Sequence, residues 1–307
     1  MVERRKTITL FLTDSDSPHQ QHLKATAQAA AGRIRADLAV HFAGQGATAT
    51  SMAQIQQVFH AVSAAKDGLD AVIVHPVTGT GNQGVVENLA RKGVPCLIVN
   101  RSADGLDRLR SEFPKVPFCC ISPDQLEVGR TQGRQFLRLH DRDGLVLYVQ
   151  GPVAAAAAQQ RLSGMREVLR ASKVKDRCVF GDWDSSKAAS AVEAWFAANP
   201  AGAPLPAVIG CQNDAMAMGA REALERVSAK KGDPSIRRIP ITGCDGTPDY
   251  GARLVREGKL AATIELGDPM EAGFGVLQRY FQHGEVPPVQ VELGVRSLPD
   301  LTRLRAA

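Results

Sequence analysis

The chain has 307 residues, 44% of them hydrophobic and 22% charged, which is ordinary composition for a globular protein and long enough for two domains. The net charge of +5 is spread among acids (ERRK, KVKDR, SAKKGD) and aromatics make up 5%, so neither a basic stripe nor stacking rings point to nucleic acid. No apolar run approaches the roughly eighteen residues that a membrane-spanning helix needs. TITLFL reads as the first strand, SPHQQHLKATAQAAAGRI as a helix, DLAVHFA as a strand and SMAQIQQVFHAVSAAK as a helix. DAVIVH, GVVENLARKG and PCLIVN continue the alternation, and a polar stretch follows (NRSADGLDRLRSEFPK) before VPFCCI. The series then resumes with QLEVGRTQGRQFLRL, GLVLYV, AAQQRLSGMREVLRAS, DRCVFG, SKAASAVEAWFAAN, AVIGC, DAMAMGAREALERV and RIPITGC. It closes with PDYGARLVREG, AATIEL, PMEAGFGVLQRYFQHG and VQVELG.

Strands followed by crossover helices specify parallel sheets covered by helices on both faces. Nine or ten such units exceed one compact sheet, and the polar break near 101–117 divides them, so an α/β fold of two doubly wound lobes is expected. Ala154–Ala158 reads as a helix start. In open parallel sheets ligands bind beyond the carboxyl ends of the strands, which singles out the polar residues placed there. Thr13 follows the first strand, His75 the third, and Asn100 with Arg101 the fourth. Gln150 and Gly151 follow GLVLYV, Asp182 and Trp183 follow CVFG, Asn213 and Asp214 follow AVIGC, and Asp245 follows ITGC. Each alone reads as a helix N-cap or a solvated charge. Asp214 is the expected cap of the helix AMAMGAREAL, and Asn213, with a donor and an acceptor but no evident structural task, suits a ligand hydroxyl.

The six cysteines show neither C-x-x-C nor Cys/His metal spacing, so no metal is expected, and five of them, with apolar or strand-like neighbours, read as small buried thiols. Cys119 and Cys120 fall on opposite faces of a strand, which argues against a mutual disulfide. The basic start and short apolar run of MVERRKTITLFLTDSDS do not make a signal peptide, so the compartment stays open: cytoplasmic on the sequence shown, periplasmic if an export signal belongs to the protein.

These motifs in this order resemble the type I periplasmic solute-binding proteins, in the ribose-binding-like sugar group. The stretches that carry the resemblance are SPHQQHLKATAQAA, DAVIVHPVT, GVPCLIVNR, ISPDQLEVGRTQG, QQRLSGMREVL and FGDWDSSKAASAVEAWFAANP, with QNDAMAMGAREAL, ITGCDGTPDYGARLVREGKLAATIE and DPMEAG the later ones. The resemblance implies two lobes joined by three crossing segments, a ligand cleft between them, no catalysis and no cofactor. By analogy the first lobe spans 1–121 with 267–291 and the second 122–266 with 292–307. Arg161 is similar to the family's ligand-binding arginine, whose fork can grip two ring oxygens. Trp183 is similar to an aromatic that stacks on the sugar face, Asn213 and Asp245 to polar contacts for hydroxyls, and Arg101 to a second arginine. Thr13, Ser17 and His75 are similar to lesser contacts of the first lobe.

The chain departs from the family where His19 and Gln20 replace aromatics, where Asn100 replaces an aspartate, and where Leu266 replaces a glutamine beside Glu265. These exchanges, with Arg101 and Arg161, imply a sugar or a sugar derivative that brings its own anionic group. A membrane permease is the implied partner if the protein is exported, and a monomer is expected. The rival reading is the intracellular effector-sensing core of a lactose-repressor-type regulator, against which no helix-turn-helix precedes TITLFLT and REGKLAATIE looks transport-like. Neighbouring permease genes would favour transport, and an upstream DNA-binding segment regulation. A further alternative is an NAD(P)-dependent enzyme, because GTGNQG at 79–84 has the G-x-G-x-x-G spacing; four residues (HPVT) separate it from its strand, where a dinucleotide fingerprint turns at once.

Overall fold

The computed structural model describes residues 4–64, 68–78, 83–101, 105–199 and 202–305, Ala47 by its backbone alone. In chain order the elements are β1 (Thr7–Asp14), α1 (Pro18–Arg33), β2 (Asp37–Gly44), α2 (Ser51–Ala64), β3 (Ala71–Val74), α3 (Gln83–Arg91), β4 (Cys96–Val99), α4 (Leu106–Glu112) and β5 (Phe118–Pro123). They continue with α5 (Gln125–Leu139), β6 (Gly144–Gln150), α6 (Ala156–Leu169), β7 (Val174–Phe180), α7 (Ser185–Ala198), β8 (Val208–Cys211), α8 (Asp214–Lys231) and β9 (Ile241–Thr242). The last are α9 (Gly251–Arg256), β10 (Thr263–Leu266), α10 (Pro269–His283), β11 (Gln290–Leu293) and β12 (Val295–Leu298). The chain divides into two compact units, Met1–Ser122 with Asp268–Leu293 and Pro123–Gly267 with Gly294–Ala307, so it passes between them three times.

The first unit is a six-stranded sheet in the order β11-β5-β4-β3-β1-β2. Its neighbours from β5 to β2 all pair in parallel. β3 (AVIV) and β4 (CLIV) are buried throughout because helices cover both faces. Side chains alternate between two cores. Leu10, Leu97, Val99 and Cys119 pack with α1 and α10, while Phe11, Cys96, Ile98 and Cys120 pack with α2, α3 and α4. Adjacent Cys119 and Cys120 therefore lie on opposite faces, as the period of two requires. All six cysteines are free thiols; burial pushes Cys119 up to about 12 and Cys120 up to about 11.

The second unit has a parallel four-stranded sheet in the order β7-β6-β8-β9 and an antiparallel pair, β10 with β12. α7 and α8 cover one face of the sheet, α5 and α6 the other.

The polar stretch near 101–117 is not the divide expected of it. It contains α4, whose Leu106 and Leu109 are buried in the first unit's core, and β5 after it pairs with β4. The divide falls at Ser122 and Pro123 instead. Among the described residues no helix is long and apolar enough to cross a membrane.

Candidate functional site

A doubly wound sheet has one place where successive connections leave in opposite directions, and there the strand ends open a crevice. In the first unit the order puts it between β1 and β3. Gln20 bridges that point: its Oε1 accepts the Thr13 amide at 3.1 Å, which leaves its NH2 to donate to His75 Nδ1 at 2.9 Å. A backbone N–H can only donate, so the amide orientation is fixed, and a neutral His75 must carry its proton on Nε2. Burial first, then the charges of Arg101 and His19, hold the His75 imidazolium well below the usual range, so the ring is neutral near pH 7.

Asn100, at φ +59°, donates from Nδ2 to His19 Nε2 at 3.2 Å, and the His19 and His75 rings meet edge-on with centroids 6.2 Å apart. Asn is among the few residues that tolerate the left-handed region. Arg101 donates to the Val77 carbonyl. Thr13, His19, Gln20, His75, Asn100 and Arg101 thus form one linked cluster. Ser17 has a structural task, its Oγ accepting the Gln20 amide as the N-cap of α1. Gln54, which sequence reasoning missed, ties the strand ends together: it donates to the Leu12 and His75 carbonyls and accepts from the Val77 amide. A glutamine on a helical face gives no sequence signal for this. The glycine motif at 79–84 falls mostly outside the described residues.

In the second unit the switch point lies between β6 and β8. Gln212, fully buried, accepts the Gly151 amide at 2.9 Å and donates to the Ala158 carbonyl at 2.8 Å and to Tyr148 Oη at 3.2 Å. Tyr148 in turn donates to Gln132 at 2.6 Å. Arg161 is brought to this network by helix packing. A side chain at Gly129 or Gly164 would strike the backbone of the facing helix, so α5 and α6 touch main chain to main chain. That contact sets Arg161 Nε 2.8 Å from Gln125 Oε1 and lets Nη1 donate to the Gln212 carbonyl. The guanidinium lies 5.6 Å from the centroid of the Trp183 ring, a cation–π distance. Trp183, at φ +65°, lays its indole where a side chain on Gly151 would sit, and its Nε1 is buried with no partner among the described residues.

The adjacent pair Asn213–Asp214 reverses the roles expected of it. Asn213 is the N-cap of α8, with extended backbone (φ −149°, ψ 167°); its Oδ1 accepts the Met216 amide at 2.7 Å and its Nδ2 donates to the Trp183 carbonyl at 3.2 Å. Asp214 is instead inside the helix and 1% exposed, accepting from Thr263 Oγ1 at 2.6 Å and the Gly246 amide at 2.8 Å. Asp245 (φ +102°) bridges to Glu265, whose carboxylate is engaged by Arg296 of β12, with Nε at 2.9 Å. Arg161, Trp183 and Asn213 therefore form one cluster through Gln212, with Asp245 beside it through Asp214, whereas Glu265 is held in an ion pair. Among the described residues no group of three His, Cys, Asp or Glu side chains is placed to hold a metal ion.

A family model described as a periplasmic binding protein domain matches residues 8–276. The chain belongs to that family. Within it, the galactofuranose-binding protein of Escherichia coli (strain K12) is 27% identical over 225 residues, 72% of this chain and 67% of its own length. The xylitol-binding protein of Mycolicibacterium smegmatis is 26% identical over 213 residues, 68% of this chain; the match spans 55% of that relative's length. The solved periplasmic binding protein of the arabinose ABC transporter from Shewanella sp. ANA-3, bound to L-arabinofuranose, superposes with a TM-score of 0.79 at 25% identity, covering 94% of this chain and 92% of its own.

Proposed function

We propose that the chain is a non-enzymatic binder of a small carbohydrate-type solute and the substrate-binding component of an ABC transporter, with a membrane permease as its partner. The observation that carries this reading is the Arg161–Trp183 pair at the second unit's switch point. A sugar offers an apolar ring face and hydroxyls in one small body. An indole face beside a guanidinium that Gln125 and Gln212 hold rigid answers both. A ligand contact available in only one conformation selects that conformation. The sugar-binding and polyol-binding relatives support the solute class.

A sugar carrying its own anionic group, a carboxylate or a phosphate, is the second reading, favoured by the first unit's strand ends, where Arg101 and His19 stand close enough to His75 to disfavour its protonation. A thermal-shift screen of neutral sugars, polyols, sugar acids and sugar phosphates tests both. A hit that Arg161→Gln weakens by about tenfold or more, the worth of a charged hydrogen bond, supports the site. A screen without a hit, together with saturable binding of a nicotinamide cofactor, would replace it with an enzyme.

A further inference from the structure

Asp214 is used by nothing in the ligand scheme, yet among the described residues it is the sole buried acid. Its carboxyl group occupies space that exists only because Gly243 and Gly251 carry no side chains. From there it receives the Gly246 amide on Oδ2 and the Thr263 hydroxyl on Oδ1, joining the first turn of α8 to β10 and to the turn after β9. That turn carries Asp245 at φ +102° and Gly246 at φ +57°, backbone that a non-glycine residue keeps only when its surroundings over-determine it.

The ionisable groups around Asp214 are Asp245 and Cys244 on the turn, Arg161 on α6, Cys211 at the end of β8 and Tyr250 before α9. Burial, and next the charge of Asp245, push Asp214 well above the usual carboxylate range, against the hydrogen bonds of Thr263 and Gly246 and the charge of Arg161. The more deeply buried of the two carboxyl groups is the one that retains its proton.

We propose that Asp214 is the positioning residue for Asp245: from its place between Gly243 and Gly251 it holds the turn through the Gly246 amide and keeps its own proton, so that the negative charge is presented by Asp245. Such an acceptor can take charge-assisted hydrogen bonds from two ligand hydroxyls; this step rests on the proposed carbohydrate reading, while the proton's location does not.

The test uses the ligand-free protein, comparing wild type with Asp214→Asn, Asp214→Ala and Asp245→Asn. An acid whose folded pKa is raised adds stability that is full below the ordinary carboxylate range and is lost as pH rises through the raised value. The melting temperature of wild type relative to Asp214→Asn should therefore fall as pH rises from the acid side, and Asp245→Asn should move that fall to lower pH. Parallel profiles for wild type and Asp214→Asn, or no displacement in Asp245→Asn, overturn the proposal. Hydrogen exchange at the Gly246 amide should stay slow in Asp214→Asn, whose side-chain oxygen still accepts, and quicken about tenfold or more in Asp214→Ala; equal protection in both overturns the positioning role. If Asp214→Ala does not fold, the other two variants decide. With the profiles as expected, a sugar screen without a hit overturns Asp245 as a ligand acceptor and leaves the proton on Asp214.

Discussion

Asn213 and Asp214 show how far a single residue's role can be read before its backbone is known. Either side chain caps a helix, and what decides is which residue has extended backbone and which has already turned helical. Asn213 is the extended one, so Asn213→Ala should cost about 1 kcal/mol in urea unfolding. Trp183 depends on Gly151 in the same local way. Gly151→Ala should displace the indole at a cost of about 1–3 kcal/mol, visible as a change in tryptophan fluorescence in a Trp195→Phe background, since the chain has only two tryptophans. His75 yields a third expectation: by NMR its Nδ1 should bear no proton and the ring should stay neutral to well below the ordinary histidine range. A folded pKa below the unfolded one means that its contribution to stability is present above the ordinary histidine range and lost on acidification. The sequence marked His75 and Trp183 because strand ends are where ligand-facing side chains gather, and Arg161 because QQRLSG resembles the family's arginine motif. It did not mark Gln54, Gln125 or Gln212, because a buried glutamine that fixes a neighbour's orientation looks, in one dimension, like any polar residue on a helix or after a strand.

At the scale of elements, periodicity and strand-length apolar runs were legible almost throughout, and the two elements missed were short ones. α4 spans seven residues with two buried leucines, too few turns for a period to show against Asp, Arg and Glu. β12 (VRSL) carries an arginine and a serine and becomes a strand because β10 offers it an antiparallel edge, a partner that no local pattern announces. Glycine contacts within helices were equally invisible, and they separate into two kinds. A methyl group on Gly164 would strike the Leu126 carbonyl, so Gly164→Ala should force α5 and α6 apart, destabilise by about 1–3 kcal/mol and weaken any ligand that Arg161 holds. Gly32, near the end of α1, has no described atom within 4 Å of that position. Gly32→Ala should stabilise by about 0.4–1 kcal/mol, mostly by restricting the unfolded chain. Chemical denaturation of the two variants side by side checks both signs, and a destabilised Gly32→Ala would show that helix entropy is not what governs that position.

The molecule as a whole consists of two units, each with cores on both faces of its own parallel sheet, linked by a chain that crosses three times. A unit with its own core can unfold in its own transition. A ligand proposed to bind the Arg161–Trp183 pair stabilises the second unit, because unfolding that unit releases it. At a hundred times its Kd the ligand adds about 2.7 kcal/mol, and for units of this size each kcal/mol raises Tm by about 2–4 °C. Calorimetry with saturating ligand should therefore raise the second unit's transition by roughly 5–11 °C. Arg161→Gln should reduce that ligand-induced rise. If saturating ligand leaves the second unit's transition where it was, the Arg161–Trp183 pair is not what binds it.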